Sequence, residues 1–124
     1  PLRRERIPGC TYSAPQVASI GLREQDAGER ALKIGRFPLY ANGKSVVAGH
    51  PEGLIKTVFD AQTGELLGAH MIGEGVTELI QGFAVAMGLE TTEQELIETV
   101  FPHPTVSEEM QESVLMAFDR PLHL

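Results

Sequence analysis

The residue types best able to do chemistry gather near the C-terminal end, in Phe101-Pro102-His103-Pro104-Thr105-Val106-Ser107-Glu108-Glu109. A histidine stands between two prolines, with a carboxylate five residues on. Proline fixes its own φ and pushes the preceding residue out of the α region, so His103 is held in a stiff, extended backbone. Thr105 reads as a helix N-cap with Glu108 as its capping-box partner, which predicts a last helix over residues 106–118. Two readings fit this spacing. In one, His103 is a loop histidine, Glu108 merely caps the helix and the prolines end the helix before it. In the other, Glu108 accepts a hydrogen bond from one ring nitrogen, fixing the tautomer and leaving the other nitrogen to move a proton. The helix N-terminus disfavours imidazolium while the carboxylate favours it, opposed effects that suit a general acid–base working near neutrality.

The remaining chemistry-bearing residues are sparse. His50 lies in a Gly/Pro loop, His70 in an apolar run that reads as a strand, and His123 near the end of the chain. No His-x-His, His-Glu-x-x-His or cysteine pair offers metal-ligand spacing, so no metal site is expected. His70 reads as structural. The single cysteine, Cys10, allows no intrachain disulfide and no redox dithiol, and reads as a small buried or semi-buried thiol. Gly73-Glu74-Gly75 precedes a helix, but it lacks the wider glycine fingerprint, a P-loop lysine and a βαβ setting. It reads as a hinge.

Elements to position these residues can be read from periodicity. Residues 1–9 are basic and irregular, and are expected to form a connecting tail. Residues 16–21 alternate as a short strand entered from Pro15. Residues 23–33 are polar with a modest apolar face at Ala27, Ala31 and Leu32, predicting a helix closed by Gly35. Residues 36–40 follow as a strand whose Pro38 suits an edge. Asn42-Gly43 signals a turn and residues 49–53 a loop. The runs 54–60 and 66–72 flank a hairpin-length connection with Gly64 placed for a left-handed residue, predicting an antiparallel pair. Val76, Leu79, Ile80, Phe83, Ala84 and Met87 make one face of a helix that Gly88 ends. Thr92 and Glu95 form another capping box, opening a short helix. The last helix carries Val106, Met110, Val114, Ala117 and Phe118 on one side. Val114, Leu115, Met116 and Phe118 crowd this helix with more apolar residues than one face can hold, which predicts a displayed patch for self-association.

The 124 residues make one ordinary domain. A hydrophobic content of 42% and a charged content of 22% are those of a soluble globular chain. The net charge of −7, with basic residues clustered only at Arg3, Arg4 and Arg6, argues against nucleic acid or an anionic membrane as partner. No apolar run nears the roughly 20 residues of a spanning helix, and no signal peptide is visible. A first residue other than Met suggests a processed or excised piece.

His103-Pro104-Thr105-Val106-Ser107-Glu108 resembles the C-terminal signature of the FAD-dependent pyridine-nucleotide disulfide oxidoreductases. The resemblance extends to residues 12–22, to Gly68-Ala69-His70-Met71-Ile72-Gly73 and to Thr77-Glu78-Leu79-Ile80. These four motifs stand in the family's order, and nearly all of residues 7–122 follow its C-terminal interface domain. The resemblance implies an α+β fold, an antiparallel sheet packed with helices, spanning residues 10–124. It implies further that the FAD and NAD domains lie upstream, and that the closest branch oxidises dihydrolipoyl groups with NAD+. The domain would form most of a homodimer interface, with His103 as the acid–base for the partner subunit's site and Glu108 as its orienter. The His103 carbonyl would approach the partner's FAD, and the His103–Pro104 bond would be cis. Lipoyl-bearing subunits of 2-oxoacid dehydrogenase complexes are the implied partners, and the cytoplasm or mitochondrial matrix the implied compartment. By itself the chain is expected to hold no cofactor and to be inactive. Two alternatives remain: an isolated self-association or docking module, or the interface domain of a glutathione-reductase-like enzyme. Two departures from the family pattern, Phe101 in place of a frequent histidine and Gln16 in place of an acidic residue, leave the His–Glu pair untouched.

Overall fold

The computed structural model describes residues 3–41 and 52–118. Runs of alternating apolar residues form five strands: β1 (Gly9–Thr11), β2 (Val17–Gly21), β3 (Leu32–Pro38), β4 (Gly53–Asp60) and β5 (Leu66–Gly73). They make one antiparallel sheet in the order β1-β2-β5-β4-β3. Because side chains alternate across a strand, the register puts Ala18 beside Met71 and Ile55, and Ile20 beside Ala69, on one buried face. Three helices cover that face: α1 (Val76–Gly88), α2 (Glu93–Glu98) and α3 (Glu108–Ala117). Of these, α1 lies against β2 and β5, and α3 against β3 and β4.

The β4–β5 hairpin forms as expected. The Asp60 carboxylate accepts the N–H groups of Gln62 (2.8 Å) and Thr63 (2.9 Å), while Gly64, at φ +79°, donates its own to the Asp60 carbonyl. That is an Asx-type turn, the local competition with the ladder that makes Asp common at such sites. The predicted apolar face of α1 is buried at Val76, Leu79, Ile80, Phe83 and Met87. At α2 the Thr92–Glu95 capping box is present.

Two elements differ from the sequence reading at the N-terminal side. The expected helix over residues 23–33 is a single 3₁₀ turn, Glu24–Asp26. Its side chains are drawn outward: Arg23 pairs with Asp26 at 2.6 Å, and Glu24 bridges Lys56 (2.6 Å) and Arg36 (2.8 Å) on the sheet. Gly28, at φ +62°, breaks the turn, and β3 begins at Leu32, where the ladder with β4 outweighs a thin helical face. Gly35 therefore does not close a helix; it sits mid-strand, and Leu39, expected in the strand, lies in a 3₁₀ turn. Pro38 does fall on an edge strand. The expected tail also differs, since Arg4–Arg6 form a 3₁₀ turn and Gly9 already pairs with Ser19.

Candidate active site

The 99–107 loop joins α2 to α3 and carries His103. Its imidazole is 74% exposed, whereas the Glu108 side chain is only 15% exposed. His103 Nδ1 lies 3.0 Å from both carboxylate oxygens of Glu108. The carboxylate can only accept, so Nδ1 carries the hydrogen and Nε2 is the nitrogen this contact does not use. Glu108 Oε1 also accepts the Thr105 N–H at 2.9 Å, and the Thr105 hydroxyl donates to the Pro102 carbonyl at 2.7 Å. Phe101 and Val106 are partly buried against the core, which pins the loop on either side of the imidazole. The His103–Pro104 peptide is cis.

The helix behind this pair starts later than its capping pattern suggested. Ser107, not Thr105, is the N-cap, and α3 runs from Glu108 to Ala117 rather than over 106–118. Tight bonds from Glu109 N to Val106 O and from Met110 N to Ser107 O, each 3.0 Å, wind the entry as a 3₁₀ turn. Glu108 thereby occupies the first helical position, where a carboxylate gains from the helix dipole.

The last helix holds a second difference. Of the residues expected to be displayed, Val114 and Leu115 are buried within the chain and Met116 and Phe118 are half-buried; Glu109, Glu112 and Ser113 are buried too. Exposed apolar side chains include Val85 in α1, Leu89 at its C-cap and Val100 within the His103 loop, besides Ile7, Tyr12, Val17, Tyr40 and Ile72.

Other residues fall outside this pair. His70 is half-buried and donates from Nε2 to the Leu22 carbonyl at 2.8 Å, a structural bond. Cys10 is a half-buried free thiol. His50, His123, the Asn42-Gly43 turn signal and most of the loop read over residues 49–53 lie outside the described residues. Among the described residues no group of three or more His, Cys, Asp or Glu could hold a metal, and no helix is long and apolar enough to cross a membrane.

Sequence reasoning missed two glutamines. Gln111 donates from Nε2 to the carbonyls of Ile97 (2.8 Å) and Thr99 (3.0 Å), and its only sequence signal is a position three residues after Glu108. Gln16 accepts from the Thr77 hydroxyl at 2.8 Å and from the Thr77 N–H at 3.4 Å. It supplies a cap to α1, whose own N-cap residue, Gly75, has no side chain to offer.

A five-stranded antiparallel sheet backed by helices, with an exposed imidazole on the loop between the last two of them, is the architecture of a known class of domain. The chain belongs to the pyridine nucleotide-disulphide oxidoreductases, matching the family's dimerisation domain over residues 7–114. It is 59% identical to a dihydrolipoyl dehydrogenase of Zymomonas mobilis over 99% of its own length and 27% of that protein. To the dihydrolipoyl dehydrogenase of Bacillus subtilis it is 42% identical, over 99% of the chain and 26% of that protein. The chain thus spans about a quarter of the length of these relatives. Among solved structures, LpdA of Mycobacterium tuberculosis superimposes with a TM-score of 0.86 at 26% identity, over 92% of this chain and 25% of that one.

Proposed function

We propose that this chain is the C-terminal domain of an FAD-containing enzyme that oxidises dihydrolipoyl groups with NAD+, and that His103 serves the active site of the partner subunit. The observation that carries this reading is the His103 Nδ1–Glu108 contact, 3.0 Å to both oxygens, on a ring 74% exposed. An imidazole oriented by a buried carboxylate but not covered by its own chain is suited to act on a second one.

In the reaction, His103 Nε2 takes the proton of a substrate thiol. The thiolate formed attacks a redox disulfide supplied by the upstream part of the enzyme, forming a mixed disulfide and releasing one enzyme thiolate. His103 passes that proton to the released enzyme thiolate and then takes the proton of the second substrate thiol, which displaces the other sulfur as a thiolate and closes the oxidised substrate ring. Glu108 stabilises the imidazolium each time and holds the ring in one tautomer. FAD would carry the electron pair from the enzyme's dithiol to NAD+. The His103 carbonyl would serve as an acceptor toward the flavin. Self-association would use the exposed face of α1, where Gly82, Val85 and Leu89 share one side. Lipoyl-bearing subunits of 2-oxoacid dehydrogenase complexes would be the physiological source of the dithiol.

Hybrid dimers test the reading. A His103→Gln subunit is mixed with one lacking a redox cysteine, each inactive as a homodimer. If His103 acts in the partner's site, the hybrid contains one intact site and recovers activity. No recovery, or full activity of the His103→Gln homodimer, would overturn the assignment.

A further inference from the structure

We propose that Gln111 is a positioning residue for His103, holding the near end of the loop whose far end Glu108 holds. The proposal rests on the acid–base reading of His103 above. Residues three apart lie on the same face of a helix, so Glu108 and Gln111 project together from α3 toward the loop. The last carbonyls of a helix have no partner within it. Gln111 supplies two at once, its Nε2 donating to Ile97 at the end of α2 and to Thr99 where the loop begins. Glu108, one turn earlier, takes the Thr105 N–H and His103 Nδ1 at the loop's other end. Both grips come from one rigid helix, seated on the sheet by Ser113, whose hydroxyl is bonded to Thr57 at 2.9 Å.

Between the grips, partly buried Phe101 anchors the backbone and two prolines stiffen it around His103. Val100 is 93% exposed, and the His103 ring, 74% exposed, is held by its own chain through Glu108. Apart from that bond, the imidazole takes its position from the backbone on both sides. With the near grip released, Thr99 is still tied to the Glu95 carbonyl and Pro102 to the Thr105 hydroxyl, but the start of the loop loses its direct tie to the helix that carries Glu108. A misplacement of about 1 Å is enough to lower a rate by ~100-fold.

Two substitutions separate positioning from simple stitching of α2 to α3. Gln111→Met keeps the side-chain length and loses both donors; Gln111→Arg keeps a fork of donors. In the full-length holoenzyme, Gln111→Met is expected to lower turnover with dihydrolipoamide by about 10- to 100-fold. Gln111→Arg should restore most of it. NADH oxidation by a one-electron acceptor such as ferricyanide needs no proton from His103 and should be unchanged in both. Three outcomes would overturn the proposal: a lower melting temperature for Gln111→Met with normal turnover, equal losses in the Met and Arg variants, or an equal loss in the ferricyanide assay. His103→Gln, measured alongside, separates this proposal from the one beneath it. Normal turnover there removes the acid–base reading and the positioning role together. An impaired His103→Gln beside a fully active Gln111→Met removes the positioning role alone.

Discussion

At the scale of single residues, two carboxylates do opposite kinds of work. If His103 exchanges protons as proposed, Glu108 orients it, and its loss should register in kinetics. A positioned general base contributes typically about 10²–10⁴-fold, and His103→Gln in the full-length enzyme should lower dihydrolipoamide turnover by about that factor. Glu108→Gln keeps an acceptor for Thr105 but removes the charge supporting the imidazolium. It should reduce turnover less than the His103 change and leave the melting temperature nearly unaltered. Steady-state rates and thermal melts on both variants check this. Asp60 is structural. The Thr63 and Gln62 amides, then the Arg30 guanidinium at 3.0 Å, hold its carboxyl down at about 2. Its ordinary value in an unfolded chain is about 3.9, so the stabilisation is complete above that pH and disappears as pH falls through about 2. Asp60→Asn should be less stable than the parent at pH 7, with the gap closing as pH drops to 2. Urea unfolding at a series of pH values measures that gap.

At the scale of elements, the decisive contact is the approach of α3 to β3. A Cβ on Gly35 would lie 1.9 Å from the Ser113 carbonyl oxygen and 2.7 Å from Thr57 Oγ1. Backbone cannot give way there without moving α3, the helix that carries both Glu108 and Gln111. Overpacking typically costs about 1–3 kcal/mol, and a clash with backbone belongs at the upper end. Gly35→Ala should therefore destabilise the domain by about 3 kcal/mol in urea unfolding. An unaltered unfolding midpoint would show that α3 is not seated as described. On the sheet's other face Glu24 makes ion pairs to Arg36, 52% exposed, and to half-buried Lys56; the more exposed pair contributes little by itself.

For the molecule as a whole, the apolar surplus expected at the last helix is absorbed internally, and the exposed apolar residues of α1 take its place as the candidate contact between copies. Val85 is 53% and Leu89 74% exposed. A two-fold contact through α1 brings like residues toward one another, so Val85→Asp sets two carboxylates against each other. Like-charge juxtaposition in an interface costs several kcal/mol, and self-association should weaken at least about tenfold. The fold of each copy should not change, since the side chain points to solvent. Sedimentation across a concentration series, with circular dichroism as the control for folding, reads both. Unaltered association in Val85→Asp would exclude α1 as the contact.

The sequence by itself determined whatever depends on neighbours a few residues away. The turn at Asp60 to Gly64, the buried stripe of α1 and the Thr92–Glu95 box are all short-range matters of dihedral preference and period. So is the meeting of His103 with Glu108, since five residues stiffened by proline leave the two side chains few other arrangements. Only the tertiary structure decided the rest. Residues 32–35 become strand because β4 offers a ladder from more than twenty residues away, and propensity along the chain carries no record of that partner. Gly35 looked like a helix stop and proved to be the clearance for Ser113. Glu109 and Glu112 carry charged side chains that are nonetheless buried, which no local pattern signals. Gln111 gave no sign of its task, because the carbonyls it holds, at Ile97 and Thr99, come within reach only when α2 and α3 pack together. Interactions across a fold are set by which elements meet, and that is decided by burial summed over the whole chain rather than by any one stretch of it.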